Sequence, residues 1–413
     1  MRISKTAYKN LILAHEIERE LNKEEFNKRV EKMSEENEEY GTLPLPSELV
    51  AELDKFVIGQ KEVKKAISVA IISHLYKTEF NFAVKAKEQI NEITFTSDDI
   101  GGYSSFTFPM SDIYMGPMNN KEEEVNKPVT EDPFARLIEE YPHKLKKSNI
   151  LIAGPTGSGK THLINNLSQI LDIPLFKTDA SSLTAAGYTG GDIDDIFRGL
   201  IESCGKDIDK AENSIVFIDE IDKIVKRNTR DGNDVGGLEV QSQLLKLLEG
   251  TEKVIHPRHG DNSPSVLLDT SNILFIFGGS FAELRESIRE SVKTSSIGFN
   301  NTIDKADEDK GERPLTHEDI INFGFIPEFV GRLGPLIETK ELTDKELKQI
   351  LVKTEDSPIK QAKVMFAMLG LRWTKKLENQ LVKEVVEDAT KNKTGARGLF
   401  SSLEEKLRDH YYE

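Results

Sequence analysis

The stretch "GPTGSGKT", residues 154–161, limits what this chain can fold into more than any other. It fits the pattern G-x-x-x-x-G-K-[ST], follows the apolar run "NILIA" and precedes the helical "HLINNLSQIL". A strand, a glycine loop and a helix in that order make a phosphate cradle. Gly154, Pro155, Thr156, Gly157, Ser158 and Gly159 form the loop, whose backbone N–H groups turn inward around phosphate oxygens. Lys160 is expected to reach the β and γ phosphates, and Thr161 to ligate Mg²⁺.

A second run, "SIVFIDEIDK", supplies the acids. Apolar residues lead into Asp219 and Glu220 at a strand's C-terminal end, the edge where open α/β sheets bind ligands. Asp219 is placed to hold the metal through water, and Glu220 to polarise an attacking water. An acid pair at a strand end is by itself a common surface feature; the phosphate loop is what gives it a task. The reaction these residues imply is ATP hydrolysis by in-line water attack, with ATP and Mg²⁺ as cofactors.

The remaining organisation is built around that core. "SNILFIFGG" is a third apolar run, and strands alternating with helices imply a parallel sheet flanked by helices. We divide the 413 residues into a helical N-terminal segment and linker (1–46), a large α/β domain (47–336) and a small, mostly helical domain (337–413). Apolar residues three or four apart from Ile3 to Leu21 draw a helical stripe, which suits packing on its own body, a coiled coil, or an outside partner. "SELVAELDKFVIGQKEVKKAISVAIISHLYK" reads as two helices around "VIGQ". Residues 81 to about 146 read as an insertion, either a small β-hairpin or a loop that orders on binding. "LTDKELKQILVK" and "LENQLVKEVVEDATK" are amphipathic helices of the small domain.

Composition excludes several classes. No stretch approaches the ~20 apolar residues of a membrane span. Only the short run "LILA" interrupts a charged beginning, so no signal peptide is expected. Cys204 is the only cysteine, which rules out an internal disulfide and a multi-cysteine zinc site and suits a cytoplasmic location. A net charge of −16 argues against wholesale nucleic-acid binding, which needs a basic surface.

The motifs "GPTGSGKT", "AGYTGGDI", "IVFIDEIDKI", "LLKLLEGT", "LFIFGGSF", "GFIPEFVGRLGPL" and "KTGARGL" stand in the order and rough spacing of the ClpX unfoldases, ring-forming AAA+ ATPases. With "LDKFVIGQKEVKKAISVAI", the resemblance covers about 47–80 and 147–405. It implies an AAA+ α/β core with a small helical domain, a homo-hexamer, protein substrates, and delivery to a ClpP-type peptidase. Val57, Ile58 and Gly59 resemble the segment that packs on adenine. Arg332 resembles an arginine finger for a neighbouring subunit's nucleotide, and Arg397 a same-chain sensor 2. Gly187, Tyr188, Thr189 and Gly190 match a Gly-aromatic-x-Gly pore loop, although family members commonly carry Val where Thr189 stands. Six such rings around a channel would give sequence-tolerant grip on a polypeptide. "KRNTRDGNDVGGLEV" (226–240) resembles a second pore loop. "HPRHG" (256–260) takes the place of a basic loop at the channel mouth; its His256 and His259 have no third ligand nearby, against zinc. Ile297, Gly298 and Phe299 resemble the tripeptide with which ClpX docks on its peptidase.

Departures from the family bear on substrate choice. The ClpX zinc domain needs four cysteines, so its recognition role is not carried over. The chain stops at "RDHYYE", so the small domain is expected to be minimal or completed by a neighbour. "LFIFGGSF" has no clear polar sensor 1; Ser280 is the candidate. Three other readings stand beside the unfoldase: a peptidase-independent remodeller of complexes, a nucleic-acid P-loop motor, and a ring member that binds ATP only as a scaffold. Intact Lys160, Asp219, Glu220, Arg332 and Arg397 oppose the last.

Overall fold

The computed structural model describes residues 43–98, 137–138, 140–183, 193–225, 228–229, 232–233, 235–257, 264–296 and 313–412. Five strands form the main sheet: β1 (Asn149–Ala153), β2 (Leu175–Asp179), β3 (Ile215–Asp219), β4 (Leu274–Gly279) and β5 (Leu333–Glu338). They are hydrogen-bonded in the order β2-β3-β4-β1-β5, and every pairing is parallel. The α/β reading of the sequence is borne out. β1 and β4 are buried along their whole length, and β3 everywhere but at Asp219, as strands covered on both faces must be. β2 and β5 lie at the edges, are less buried, and carry residues such as Lys177 and Pro335 that an edge tolerates.

The chain divides into two compact units, Met1–Leu45 with Ile72–Lys147, and Pro46–Ile71 with Ser148–Glu413. In the first, Phe80, Ala83, Val84 and Ile138 make a small core beside Leu145. The Asn81 amide brackets Leu145, donating to its carbonyl (2.8 Å) and accepting from its N–H (2.5 Å). The helix Lys61–Asp98 runs on past residue 81, well into the stretch assigned to the insertion. It is the predicted second helix after "VIGQ", and it is longer than the apolar pattern indicated.

In the second unit the sheet core merges β1, β3 and β4 with helices such as Ile193–Ser203 and Val235–Leu248. A separate core joins four helices, Asp344–Lys353, Pro358–Met368, Lys375–Lys391 and Arg397–Tyr412, through Leu347, Leu351, Phe366, Val385 and Leu403. Local chemistry starts these helices. Thr343 and Glu346 form a reciprocal capping box, and Ser357 and Thr374 cap the next two.

Candidate functional site

The phosphate loop leaves the C-terminal end of β1 and is held from both sides. Gly154 N donates to Gly279 O at the end of β4 (3.1 Å), and Thr339 N, just past β5, donates to Ala153 O (2.8 Å). Gly157 has φ 81°, and a Cβ there would lie 2.5 Å from Thr394 O, so both dihedral and space demand glycine. Gly159, at φ 93°, opens the helix Lys160–Leu171 and has open space around it. Ser158 and Thr339 are buried and share a hydroxyl–hydroxyl bond of 2.7 Å. Lys160 Nζ donates to Gly154 O (2.6 Å) and Pro155 O (3.1 Å). Burial holds its pKa below the ordinary lysine value; the Asp219 and Asp222 carboxylates oppose that, and the Arg397 charge adds to it. Thr156 stands exposed on the loop. A loop of this shape at a helix N-terminus offers free N–H groups to an anion.

The acids end β3. Thr161 Oγ1 donates to Asp219 Oδ2 (3.1 Å), and Glu220 N donates to Asp219 Oδ1 (2.9 Å). Both carboxylate oxygens of Asp219 are thereby fixed. Glu220 sits at φ 55°, a left-handed conformation uncommon outside glycine, and is exposed. Such strain is kept where the surroundings need the side chain aimed one way. Gly278 of β4 makes room beside the site, since a Cβ there would lie 2.8 Å from Asp219 Oδ1. A hydroxyl, a carboxylate, an ammonium group and an exposed carboxylate therefore meet at one sheet edge. The donor set fits Mg²⁺, which takes one or two protein oxygens and fills the rest with phosphate and water.

The "VIGQ" segment lies against the same edge. Val57 is buried, and its carbonyl accepts from Lys64 Nζ (2.8 Å), which also pairs with Asp54. His162, on the helix after the loop, has its Nε2 3.4 Å from Phe56 O. The Gln60 amide bonds both ways with the Lys340 backbone (2.7 and 3.1 Å). Gly59, at φ 72°, faces Glu346. Val57 and Ile58 thus sit between the P-loop helix and the start of the small helical domain.

The two arginines part company. Arg397 opens the last helix, and Ala396 N before it donates to Gly157 O (3.1 Å), so Arg397 stands by its own phosphate loop. Arg332 precedes β5 at the other end of the sheet. Its carbonyl accepts from Asn149 Nδ2 (3.1 Å), and its guanidinium pairs with Glu249 (2.6 Å) with both side chains exposed. Asn149 and Ala153 are four strand steps apart, about 13 Å, so Arg332 is not brought to the phosphate loop of its own chain.

Residues 145–336 match the AAA domain (Cdc48 subfamily). The chain is 36% identical over 377 residues to the ATP-dependent Clp protease ATP-binding subunit ClpX of Borrelia duttonii (strain Ly), covering 90% of this chain and 75% of the relative. The chain belongs to the ClpX family. The subunit of the same name from Borrelia recurrentis (strain A1) matches equally, and that of Treponema denticola is 33% identical over 387 residues, covering 90% of this chain and 78% of the relative. Members of this family are AAA+ ATPases, and the nucleotide-binding motif and sheet order of this chain agree with that.

Some ClpX-like features lie outside the described residues: Gly187, Tyr188, Thr189 and Gly190, and Ile297, Gly298 and Phe299. So do parts of the second pore-loop and mouth-loop stretches. Among the described residues no group of three or more His, Cys, Asp or Glu is gathered to hold a metal, and no helix is long and apolar enough to cross a membrane.

Other residues enter the site without a motif to announce them. Thr339 fixes Ser158. Asp222 accepts from the Ser280 hydroxyl (2.8 Å) and from the N–H groups of Ser280 (3.3 Å) and Phe281 (3.2 Å), tying down the end of β4. Ser280, the sensor 1 candidate, is thus engaged by Asp222. The only sequence signal was the second acid in "DEID".

Proposed function

We propose that this ClpX-family chain is the ATPase of a Clp-type machine, which unfolds polypeptides, threads them through the pore of a homo-hexamer and delivers them to a ClpP-type peptidase. The observation that carries the reading is the meeting of Lys160, Thr161, Asp219 and Glu220 at one sheet edge. In this scheme the loop from Gly154 to Gly159 and Lys160 hold the β and γ phosphates of ATP, and Val57 and Ile58 pack on adenine. Thr161 and Asp219 would hold Mg²⁺, which neutralises charge between the phosphates. The Glu220 carboxylate takes a proton from water as its oxygen bonds to the γ phosphorus and the bond to the ADP oxygen breaks. Arg397 senses the γ phosphate from the small domain of the same chain.

Arg332 serves a neighbour's nucleotide. Its distance from the phosphate loop of its own chain supports a ring in which each site is completed by the next subunit. Tyr188, flanked by glycines, supplies apolar grip in the channel, where waiting for spontaneous unfolding at rates down to ~10⁻⁶ s⁻¹ would stall the motor. Ile297, Gly298 and Phe299 form the peptidase contact. We place the protein in the cytoplasm, with protein rather than nucleic-acid substrates.

The test is a pull-down with a Glu220→Gln ring loaded with ATP. It should retain polypeptides and the peptidase from the same source. Retained polypeptide without peptidase would favour the stand-alone remodeller. An ATPase stimulated by DNA and indifferent to unfolded protein would overturn the proposal.

A further inference from the structure

The segment holding Tyr188 runs directly into the helix Ile193–Ser203, and "HPRHG" grows from an antiparallel ribbon, Glu252–Ile255 with Val266–Asp269. Helix and ribbon are joined by charge. Asp194 and Asp195 stand in the helix's first turn, where the macrodipole favours acids. Lys253 reaches from the ribbon to pair with Asp194, and its ammonium lies 5.6 Å from the centre of the fully buried Phe197 ring. Arg198 Nη1 bonds to Asp195 Oδ1 (2.8 Å), with Nη2 4.0 Å from Asp194 Oδ2. Its Nε donates to the carbonyl of His256 (2.8 Å), the first residue of "HPRHG". His256 Nδ1 in turn lies 2.9 Å from Ser265 Oγ across the ribbon.

Beneath these pairs, Ile193, Ile196 and Phe197 share one apolar core with Ile255 and Leu268. That core packs helix and ribbon together, but apolar contact is non-directional and sets no polar register between them. Charged groups in fixed hydrogen-bond geometry resist sliding. The Asp194 and Arg198 side chains are each only 19% exposed, so water screens this clamp less than a surface pair.

We propose that Lys253 and Arg198 are positioning residues that lock the pore-loop helix to the mouth ribbon, so that a stroke of the Tyr188 loop carries the mouth loop with it. This rests on the pore-loop reading of Tyr188 given above. Without the clamp, helix and ribbon keep their apolar packing but lose the charged register between them, and the coupling of grip to mouth weakens. More ATP is then spent for each molecule unfolded.

The experiment follows unfolding of a stable fluorescent tagged domain by the full-length ring, together with ATP hydrolysed per molecule unfolded. Lys253→Met, which keeps the stem and removes the charge, should raise that ATP cost roughly fivefold to tenfold, the size of a coupled-pair effect. Substrate-free ATP hydrolysis should hold at the wild-type rate. Asp194→Asn should behave alike, and the Asp194→Asn/Lys253→Met double should cost no more than the worse single, because the two act through each other. Lys253→Arg should keep the wild-type cost. Singles like wild type, a double whose costs multiply, or a fall in substrate-free hydrolysis matching the fall in unfolding would each overturn the clamp. Tyr188→Ala is run beside them. If it unfolds the substrate as well as wild type, the pore-loop reading fails and takes the inference with it. If it abolishes unfolding while Lys253→Met changes nothing, the clamp alone is wrong.

Discussion

The two ends of the five-stranded sheet are built differently. At the C-terminal ends of the strands, Ser158 meets Thr339, Thr161 meets Asp219, and Gly157 meets Ala396, so the loop, the acid and the small helical domain hold one another within one chain. At the N-terminal end, Arg332 pairs with Glu249 where both side chains are about half exposed. Exposed pairs of this kind contribute little to stability. The first end is held together entirely by contacts within one chain. The second presents a cation that a neighbour could recruit at small cost. On the proposed role of Arg332, the site is divided, with its hydrogen-bonded part inside one chain and an exposed cation on another.

The largest effect should come from breaking that division. Arg332→Ala should lower ATP hydrolysis by about 10³–10⁵-fold, as loss of a finger does in GTPases. Mixing Arg332→Ala subunits with Glu220→Gln subunits should restore part of the hydrolysis, because some interfaces then pair an intact Glu220 with an intact Arg332. Steady-state hydrolysis across mixing ratios checks this. If rings form and no mixture recovers, both ends serve the same chain. Glu220→Gln alone should slow turnover by about 10²–10⁴-fold while ATP binding holds, the scale of a lost general base. Nucleotide titration beside a single-turnover assay separates the two. A wild-type rate would mean another group activates the water.

The same contrast governs what the sequence disclosed. β1, β3 and β4 were legible because a strand covered on both faces must be an unbroken apolar run. β2 and β5 carry Lys177 and Pro335 at the sheet's edges and gave no such signal. That Lys160, Thr161, Asp219 and Glu220 would stand together at one end of the sheet was legible, because phosphate and proton chemistry fix residue types at short spacing. Thr339, Asp222 and Gln60 were not. Their partners Ser158, Ser280 and Lys340 lie 181, 58 and 280 positions away, and only the folded sheet edge brings them together. Arg332 and Arg397 each stand beside a glycine; in the sequence only the family resemblance told them apart, and the fold sets Arg397 beside its own loop and Arg332 at the far end of the sheet.

A smaller effect should come from Gly157→Ala, which tests how tightly the first end is closed. The new Cβ would fall 2.5 Å from Thr394 O, and the residue would have to keep φ 81°. The expected cost is roughly 1–3 kcal/mol of stability, read as a lower melting temperature, with weaker nucleotide binding. Gly159→Ala gives the control. It shares the positive φ but has open space, so it should bear the dihedral cost without the clash. Equal losses in the two would show that the contact with Thr394 contributes nothing.

The smallest effect is expected at Thr339, and it sharpens the contrast most cleanly because it needs no ring. Thr339→Val keeps the shape and removes the hydroxyl that bonds Ser158 at 2.7 Å. Ser158 is only 4% exposed, so its hydroxyl would be left without a partner or water. An unsatisfied buried hydroxyl costs about 1–3 kcal/mol, whereas removing both partners of a bond can be nearly neutral. Thr339→Val should therefore lower stability and loosen the loop, with ATP affinity falling about fivefold, the equivalent of ~1 kcal/mol. Ser158→Ala/Thr339→Val should recover most of the loss in stability. Equilibrium unfolding and ATP titration of all four species form the cycle. Subunits kept too dilute to assemble should give the same stability differences, since every atom of this pair belongs to one chain. Stability losses that add, or that vanish on dilution, would mean that the phosphate loop is set by its neighbours and that the nucleotide end of the sheet is no more self-contained than the end carrying Arg332.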